Sequence, residues 1–584
     1  MFKPFPIILD QSKYKDFPEI YYLEELLIPK FFHMIRQISL TIVSFLLVLF
    51  FASCSGNSDE KKQLENTQKI LGLEFTQSEL DSILLDVDNQ RKSFQSIRQA
   101  EINNAVPPSL VFDPRPVGFE MPYEEYNVKW MAPKNFVRPS KISDIAFLPV
   151  SKLSVLIRTR QITSVELTNI YLNRLENYAD TLECLVTLTK DLALEQSKKA
   201  DAEIARGEYR GPLHGIPYGV KDLLAVPGYK TTWGAGAYKE QVIDETATVV
   251  KKLEEAGAVL LGKLTLGALA MGDVWFDGVT KNPWDLEQGS SGSSAGSASA
   301  TSAGLVGFSI GTETWGSIVS PATRCGVSGL RPTFGRVSRH GAMALSWTMD
   351  KIGPICRSAE DCLLVFNVIN GKDEKDPFTV EAPFVYDDSD DISSYKVAYL
   401  KDLFENNYRG HEQDSLTLKN LQELGVQMEA LSLPDEIPVN AMGIILEAEA
   451  AAAFNQLTLT NADDELAQQH RYAWPNIFRK ARFVPAVEYI QASRLRTKLQ
   501  EQVHALFSDY DVIIAPSFGG NQLLMTNLTG QPCLVIPNGF DKKGRPTSIS
   551  FLGNLYDEGK ILKMAKVYQE NTDFDEQHPD WLKE

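Results

Sequence analysis

Residues 289–317 read GSSGSSAGSASATSAGLVGFSIGTETWGS. Gly, Ser, Ala and Thr dominate, a composition normally associated with a flexible linker. Yet Leu305 to Ile310 reads as a buried strand, and a second Gly-Ser closes the run. A tether here would interrupt whatever sheet that strand joins. The alternative is a packed segment where only the smallest side chains fit, because Gly and Ser let backbones approach closely. Such a segment can also aim several N–H groups at one point, as anion nests and oxyanion holes require. No G-K-[ST] follows the glycines, so it is not a phosphate-binding Walker loop.

Outward from this run the chain alternates between helical and strand patterns. Leu153, Leu156 and Ile157, then Val165, Leu167, Ile170, Leu172 and Leu175, fall at helical spacing. A further helix is predicted over 188–206. GIPYGVKDLLAV reads as a short strand, ATVVKKLEEAGAVLLGKL as a helix then a strand, and YDVIIAPS and PCLVIPNGF as strands. This alternation predicts an α/β domain over 142–575, with a large parallel or mixed sheet covered by helices on both faces. Residues 55–141 read as a polar spacer with a helix near 60–100.

The formal net charge is −18, which disfavours nucleic acid as a partner. Neither H-E-x-x-H nor paired C-x-x-C spacing occurs, so no metal or cofactor is expected. From Met34 the chain reads MIRQISLTIVSFLLVLFFASCSGNSDE: a positive Arg36, an apolar core from Ile38 to Phe51, then Ala52-Ser53-Cys54. The core is shorter than the ~20 apolar residues of a stable span and reads as an export signal. Its small-small-Cys ending resembles a bacterial lipobox, which implies lipidation of Cys54, membrane attachment and a place in the cell envelope. On this reading translation starts at Met34, 34–54 is the signal peptide, and 1–33 is an upstream extension. The remaining cysteines, Cys184, Cys325, Cys356, Cys362 and Cys533, are odd in number and scattered, so they are expected as buried small apolar residues.

Gly292-Ser293-Ser294-Ala295-Gly296 matches the G-x-S-x-G nucleophile elbow, centred on Ser294. An elbow needs a strand before it and a histidine partner. KNPWDLEQGSS reads as turn-like, and His340, His411, His470 and His504 carry no distinguishing context.

Several motifs, taken in order, carry a more specific resemblance. GPLHGIPYGVKD (211–222), GSSAGSA (292–298), GTETWGSIVSPA (311–322), GLRPTFGRVSRHG (329–341), DKIGPICRSAEDC (350–362) and TNLTGQPCLVIPNG (526–539) resemble the amidase signature hydrolases. The resemblance implies the amidase signature fold and a Ser-cisSer-Lys triad. Lys221 would be the base. Ser293, which the family holds before a cis peptide, would relay the proton, and Ser317 would be the nucleophile. Backbone N–H groups of Thr314, Trp315 and Gly316 would form the oxyanion hole. Asp222 is read as structural.

The chemistry stands without the family. A serine hydroxyl needs a base to become a nucleophile. A lysine can act as that base when burial lowers its pKa toward neutrality.

The expected activity is hydrolysis of a carboxamide C–N bond in a small amide or peptide amide. Many family members carry GGSIR around the nucleophile. Here Trp315 stands for a Gly and Val319 for the Arg, and the motifs look more like the peptide amidase branch. The Trp315 indole would either wall the pocket or pack in the core. The segment between IIAPS and TNLTG is short, which implies an open cleft. The alternatives are an A-type glutamine amidase of an aminoacyl-tRNA amidotransferase, and a non-catalytic binding lipoprotein on the same scaffold.

Overall fold

The computed structural model describes residues 59–70, 72–99, 103–106, 110–389 and 391–582. Cys54 and the export signal lie outside them. Among the described residues no helix is long and apolar enough to cross a membrane. The chain divides into two compact units after residue 102. The first holds a helix over 59–70 and a second, α1 (Gln77–Gln99). The expected single helix is broken at Gly72, where φ is +68°. Thr76 and Glu79 restart it as a reciprocal cap. The Thr76 N–H donates to Glu79 Oε2 at 2.7 Å, and the Glu79 N–H to Thr76 Oγ1 at 3.4 Å.

The second unit, Asn103–Glu584, is built on one mixed sheet of eleven strands. In chain order these are β1 (Leu185–Leu188), β2 (Pro217–Lys221), β3 (Val259–Leu264), β4 (Phe308–Glu313), β5 (Ser328–Arg331), β6 (Lys351–Cys356), β7 (Val397–Leu400), β8 (Met428–Leu431), β9 (Val512–Pro516), β10 (Cys533–Phe540) and β11 (Pro546–Leu552). Across the sheet the order is β8-β7-β9-β11-β10-β5-β6-β4-β2-β3-β1. β2 runs parallel to both β3 and β4, whereas β4, β6, β5 and β10 alternate in direction.

Alternate side chains of the strands enter different apolar clusters. Val512 and Ile514 join one cluster, Ile513 and Ala515 the other, and Leu534 and Val535 divide likewise. Period-two splitting of this kind means that both faces of the sheet are covered. On one face lie α2 (Ser164–Leu182), α5 (Ala359–Ile369) and α7 (Glu558–Glu570). On the other lie α3 (Ala295–Ser302), α4 (Val319–Cys325) and α6 (Gln522–Thr529). Each fully buried Leu, Ile or Phe in these layers contributes roughly 1.5–3 kcal/mol. The predicted α/β architecture is the one observed.

Two local expectations change. KNPWDLEQGSS is not turn-like throughout: residues 281–282 and 285–289 form a small antiparallel hairpin. Residues 103–141 also belong to the second unit. Asn104 brackets Ala344 with two hydrogen bonds, and Asn127–Lys129 pairs with Val385–Asp387. All five described cysteines are free and buried.

Candidate active site

Two parallel strands, β2 and β4, place the chemistry. β2 ends on Lys221 and β4 on Glu313, in a register that sets Val220 beside Ile310. The carboxyl ends of parallel strands are where open sheets present their loops, so functional groups gather there. Lys221 is fully buried. Its Nζ lies 2.8 Å from Ser293 Oγ, 3.1 Å from Ser294 Oγ and 2.8 Å from Thr312 Oγ1.

The Gly/Ser run is packed, and most of it is helical. Every residue of α3 is buried, and the helix is pressed against the rest of the sheet layer. A Cβ on Gly296 would stand 2.4 Å from the Cys184 carbonyl oxygen, and one on Gly292 would stand 1.8 Å from the Gly272 carbonyl oxygen. Only glycine fits at either place. The cis peptide is Gly292–Ser293, so it precedes Ser293 rather than following it. The next residue ties the run to the Ser317 loop, because the Ser294 N–H donates to the Ser317 carbonyl at 3.1 Å.

Ser294 is locked in place. Its Oγ donates to the Thr312 carbonyl at 3.0 Å and accepts from the Thr312 N–H at 3.1 Å. A hydroxyl committed in this way to backbone, in a fully buried residue, is not available to attack a substrate. The histidines are engaged elsewhere: His340 faces Glu245, His411 and His504 pack against aromatic rings, and His470 accepts from the Tyr472 N–H. The geometry does not support a Ser-His elbow on Ser294.

Ser317 lies on the loop between β4 and α4. Its Oγ makes no hydrogen bond to the described residues, and the residue is 9% exposed. Lys221 and Ser293 are therefore brought together directly. Ser317 reaches Ser293 only through the adjacent backbone link, and no hydrogen bond joins the two hydroxyls.

The loop is braced by Glu313. Its Oε2 accepts from the N–H groups of Ile318 at 2.8 Å and Val319 at 3.0 Å, and its Oε1 accepts from Arg331 at 2.8 Å and Asn527 at 2.9 Å. Burial works against this charge, but the Arg331 guanidinium and the N–H donors hold the carboxyl down at about 2. With Glu313 taking the N–H groups beyond the serine, those of Trp315, Gly316 and Ser317 have no acceptor among the described residues. Thr314 turns its hydroxyl away to Asp350 at 2.6 Å. Trp315 is 47% exposed and so does not pack in the core, whereas Val319 is fully buried there.

Burial drives the Lys221 ammonium down to about 7, against the opposing pull of Asp350 and Glu313. The contacts suit a neutral amine. Ser294 has spent its proton on the Thr312 carbonyl and can only accept from Lys221. One amine hydrogen goes there and a second to Thr312, which leaves the lone pair facing the hydroxyl of Ser293.

Sequence reasoning missed Thr312, Glu313 and Asp350. Glu313 carries a signal in hindsight: it is the one carboxylate in GFSIGTETWGS, a segment with no other charge.

Comparisons with known proteins agree with this fold. The family whose model matches is Amidase, over residues 166–523. The A-type subunit of the glutamyl-tRNA(Gln) amidotransferase of Carboxydothermus hydrogenoformans is 31% identical over 485 residues, covering 75% of this chain and 99% of that one. The crystal structure of native peptide amidase from Stenotrophomonas maltophilia superposes with a TM-score of 0.65 at 28% identity, over 73% of this chain and 96% of that one. An inhibitor-bound vestigial protein complex that reveals the evolutionary origins of an s-triazine catabolic enzyme gives a TM-score of 0.68 at 26% identity, over 73% of this chain and 98% of that one.

Proposed function

The chain belongs to the amidase family, and on that premise we propose that it hydrolyses a carboxamide C–N bond through an acyl-enzyme on Ser317. In the first step Ser317 Oγ attacks the amide carbonyl while its proton passes to Ser293 Oγ, and the proton of Ser293 passes to the Lys221 amine. The oxyanion is received by the N–H groups of the Thr314–Gly316 loop, Trp315 and Gly316 foremost. The C–N bond then breaks, and the relay returns the proton to the leaving nitrogen. Water then attacks the acyl carbon as its proton passes to the same relay; the Ser317 Oγ–acyl bond breaks, the relay returns the proton to Ser317 Oγ, and the acid leaves. The observation that carries this reading is a buried lysine with hydroxyl partners and no carboxylate, bonded to Ser293 at 2.8 Å.

A fluorophosphonate probe tests the reading. It should form its adduct on Ser317, and Ser317→Ala should abolish both labelling and turnover, a loss of about 10⁴-fold or more. An adduct on Ser294 would sink the mechanism.

One observation favours a second reading, glutamine hydrolysis as in the A-type amidotransferase relatives, since this chain aligns with nearly their whole length. Against it stand the Trp315 and Val319 replacements beside the nucleophile.

The order of charged, apolar, small and Cys residues ending at Cys54 supports a further part of the proposal: an envelope protein tethered by a lipid on that cysteine. Cys54→Ala should move the protein from the membrane fraction to the soluble one, or leave it unprocessed. Identical fractionation and mass would remove the lipobox.

A further inference from the structure

Beside the lysine lies a cavity of about 80 Å³, several times the ~10–15 Å³ that one water needs. Thr312 and Thr314 form part of its wall. The first is the residue whose hydroxyl meets Lys221 Nζ at 2.8 Å, and the second lies three positions before Ser317. The rest is mostly apolar: Leu223, Ala270, Met343, Leu345, Trp347 and Phe378 all line it.

Most polar groups in the wall already have hydrogen-bond or ion-pair partners. Arg339 pairs with Asp376 at 3.2 Å and donates to the Trp347 carbonyl at 2.6 Å. Asp350 accepts from Thr314 Oγ1 and from the N–H groups of Leu345 and Ser346. Lys351 donates to the Met349 carbonyl, and His340 meets Glu245 at 2.8 Å. Only Lys375, exposed to solvent, has no partner in the wall. One buried polar atom is left over: the indole Nε1 of Trp347, a donor with no acceptor among the described residues.

A free amino-acid amide brings an ammonium and a carboxylate. In this cavity the ammonium would find no free acceptor, and the carboxylate would find only the exposed Lys375 and the single Trp347 indole N–H, so burying both is costly. We propose that the acyl half of the substrate is a compact, uncharged, apolar group, aliphatic or aryl, seated in this cavity, and that glutamine is excluded. This substrate class rests on the amidase reading of Ser317 and sharpens it.

The full chain, purified and confirmed by fluorophosphonate labelling of Ser317, is assayed for ammonia release. The substrates are acetamide, propionamide, isobutyramide, benzamide and glutamine. The expected kcat/KM rises about fourfold per added methylene until the cavity is full, as apolar burial predicts. Benzamide should exceed glutamine by at least 100-fold. Met343→Ala, which enlarges the cavity without touching the reacting groups, should shift preference toward longer acyl chains. A labelled enzyme that hydrolyses glutamine as fast as benzamide, or whose chain-length preference ignores Met343→Ala, overturns the substrate class and leaves the amidase reading standing. Absence of both labelling and turnover overturns the amidase reading, and the substrate class falls with it.

Discussion

Two buried lysines stand on neighbouring parallel strands, Lys221 ending β2 and Lys263 near the end of β3, with Val220 in register with Lys263. Both are fully shielded from solvent. Lys263 lies 2.8 Å from Asp222 and also donates to the Lys230 carbonyl at 2.8 Å and to Thr231 Oγ1 at 2.7 Å. Three acceptors, one of them ionised, suit an ammonium. Lys221 meets three hydroxyls and no carboxylate. Burial lowers both side chains. For Lys263 the Asp222 carboxylate, itself pushed up by burial, opposes that shift at contact distance. For Lys221 the opposing carboxylates, Asp350 and Glu313, are not in contact with it, and its pKa falls to about 7. The same residue type at the same depth thus meets a carboxylate in one place and only hydroxyls in the other, which on the proposed mechanism makes Lys263 scaffold and Lys221 the base.

The largest effect that could break this contrast is kinetic. Lys221→Ala should fold and lose 10²–10⁴-fold in kcat, the usual span for removing a general base. The unaltered enzyme should lose activity about tenfold per pH unit below pH 7, because protonated Lys221 has no lone pair for Ser293. A flat kcat/KM profile from pH 5 to 9 would remove the lysine from the base role. The next effect is on stability. Lys263→Met leaves Asp222 buried with only Thr232 as donor, and breaking a buried pair from one side costs about 3–5 kcal/mol. Chemical denaturation measures this directly. A variant as stable as the parent would show that the pair is not ionic. The folded fraction of Lys263→Met should keep the acid limb near pH 7.

How much of this was legible in the sequence differs between the two lysines. Lys221 is found through GVKD and the motifs that follow it, and Asp222, read as structural, is buried against Lys263. Lys263 sits inside VLLGKL, an apolar strand with a single charge, and that mismatch alone marks it as paired or functional. Its partner is 41 residues away, so no local pattern names Asp222. The sheet was legible because β3, β9 and β10 are largely apolar runs, VLLGKL, VIIAP and CLVIPNGF. Helix α3 was not, because Ala, Gly, Ser and Thr leave no apolar periodicity when every face of a helix is buried. Crowding was inferred there correctly; helical form was not. The Glu313 brace escaped for the same reason as the Asp222 pair, since Arg331 and Asn527 arrive from distant strands and helices.

The smallest effect is a slope. A lysine held at about 7 in the folded state and near its ordinary ~10.4 when unfolded costs stability, about 4–5 kcal/mol where the cost is complete. The sign follows from proton counting. Between pH 7 and roughly 10.4 the unfolded chain carries the proton and the folded chain does not, so raising pH favours the folded state. The cost is therefore complete below pH 7 and gone above about pH 10.4. Lys221→Met keeps the volume and discards the titration. It should be more stable than the parent at pH 7, and its advantage should shrink by about 1.4 kcal/mol for each pH unit above that. Denaturation of both proteins at pH 8 and pH 9 reads the difference between two curves, which cancels every other titrating group. An advantage that stays constant across that interval would mean that Lys221 keeps its proton in the fold, as an ion-paired lysine does, and the contrast with Lys263 would collapse.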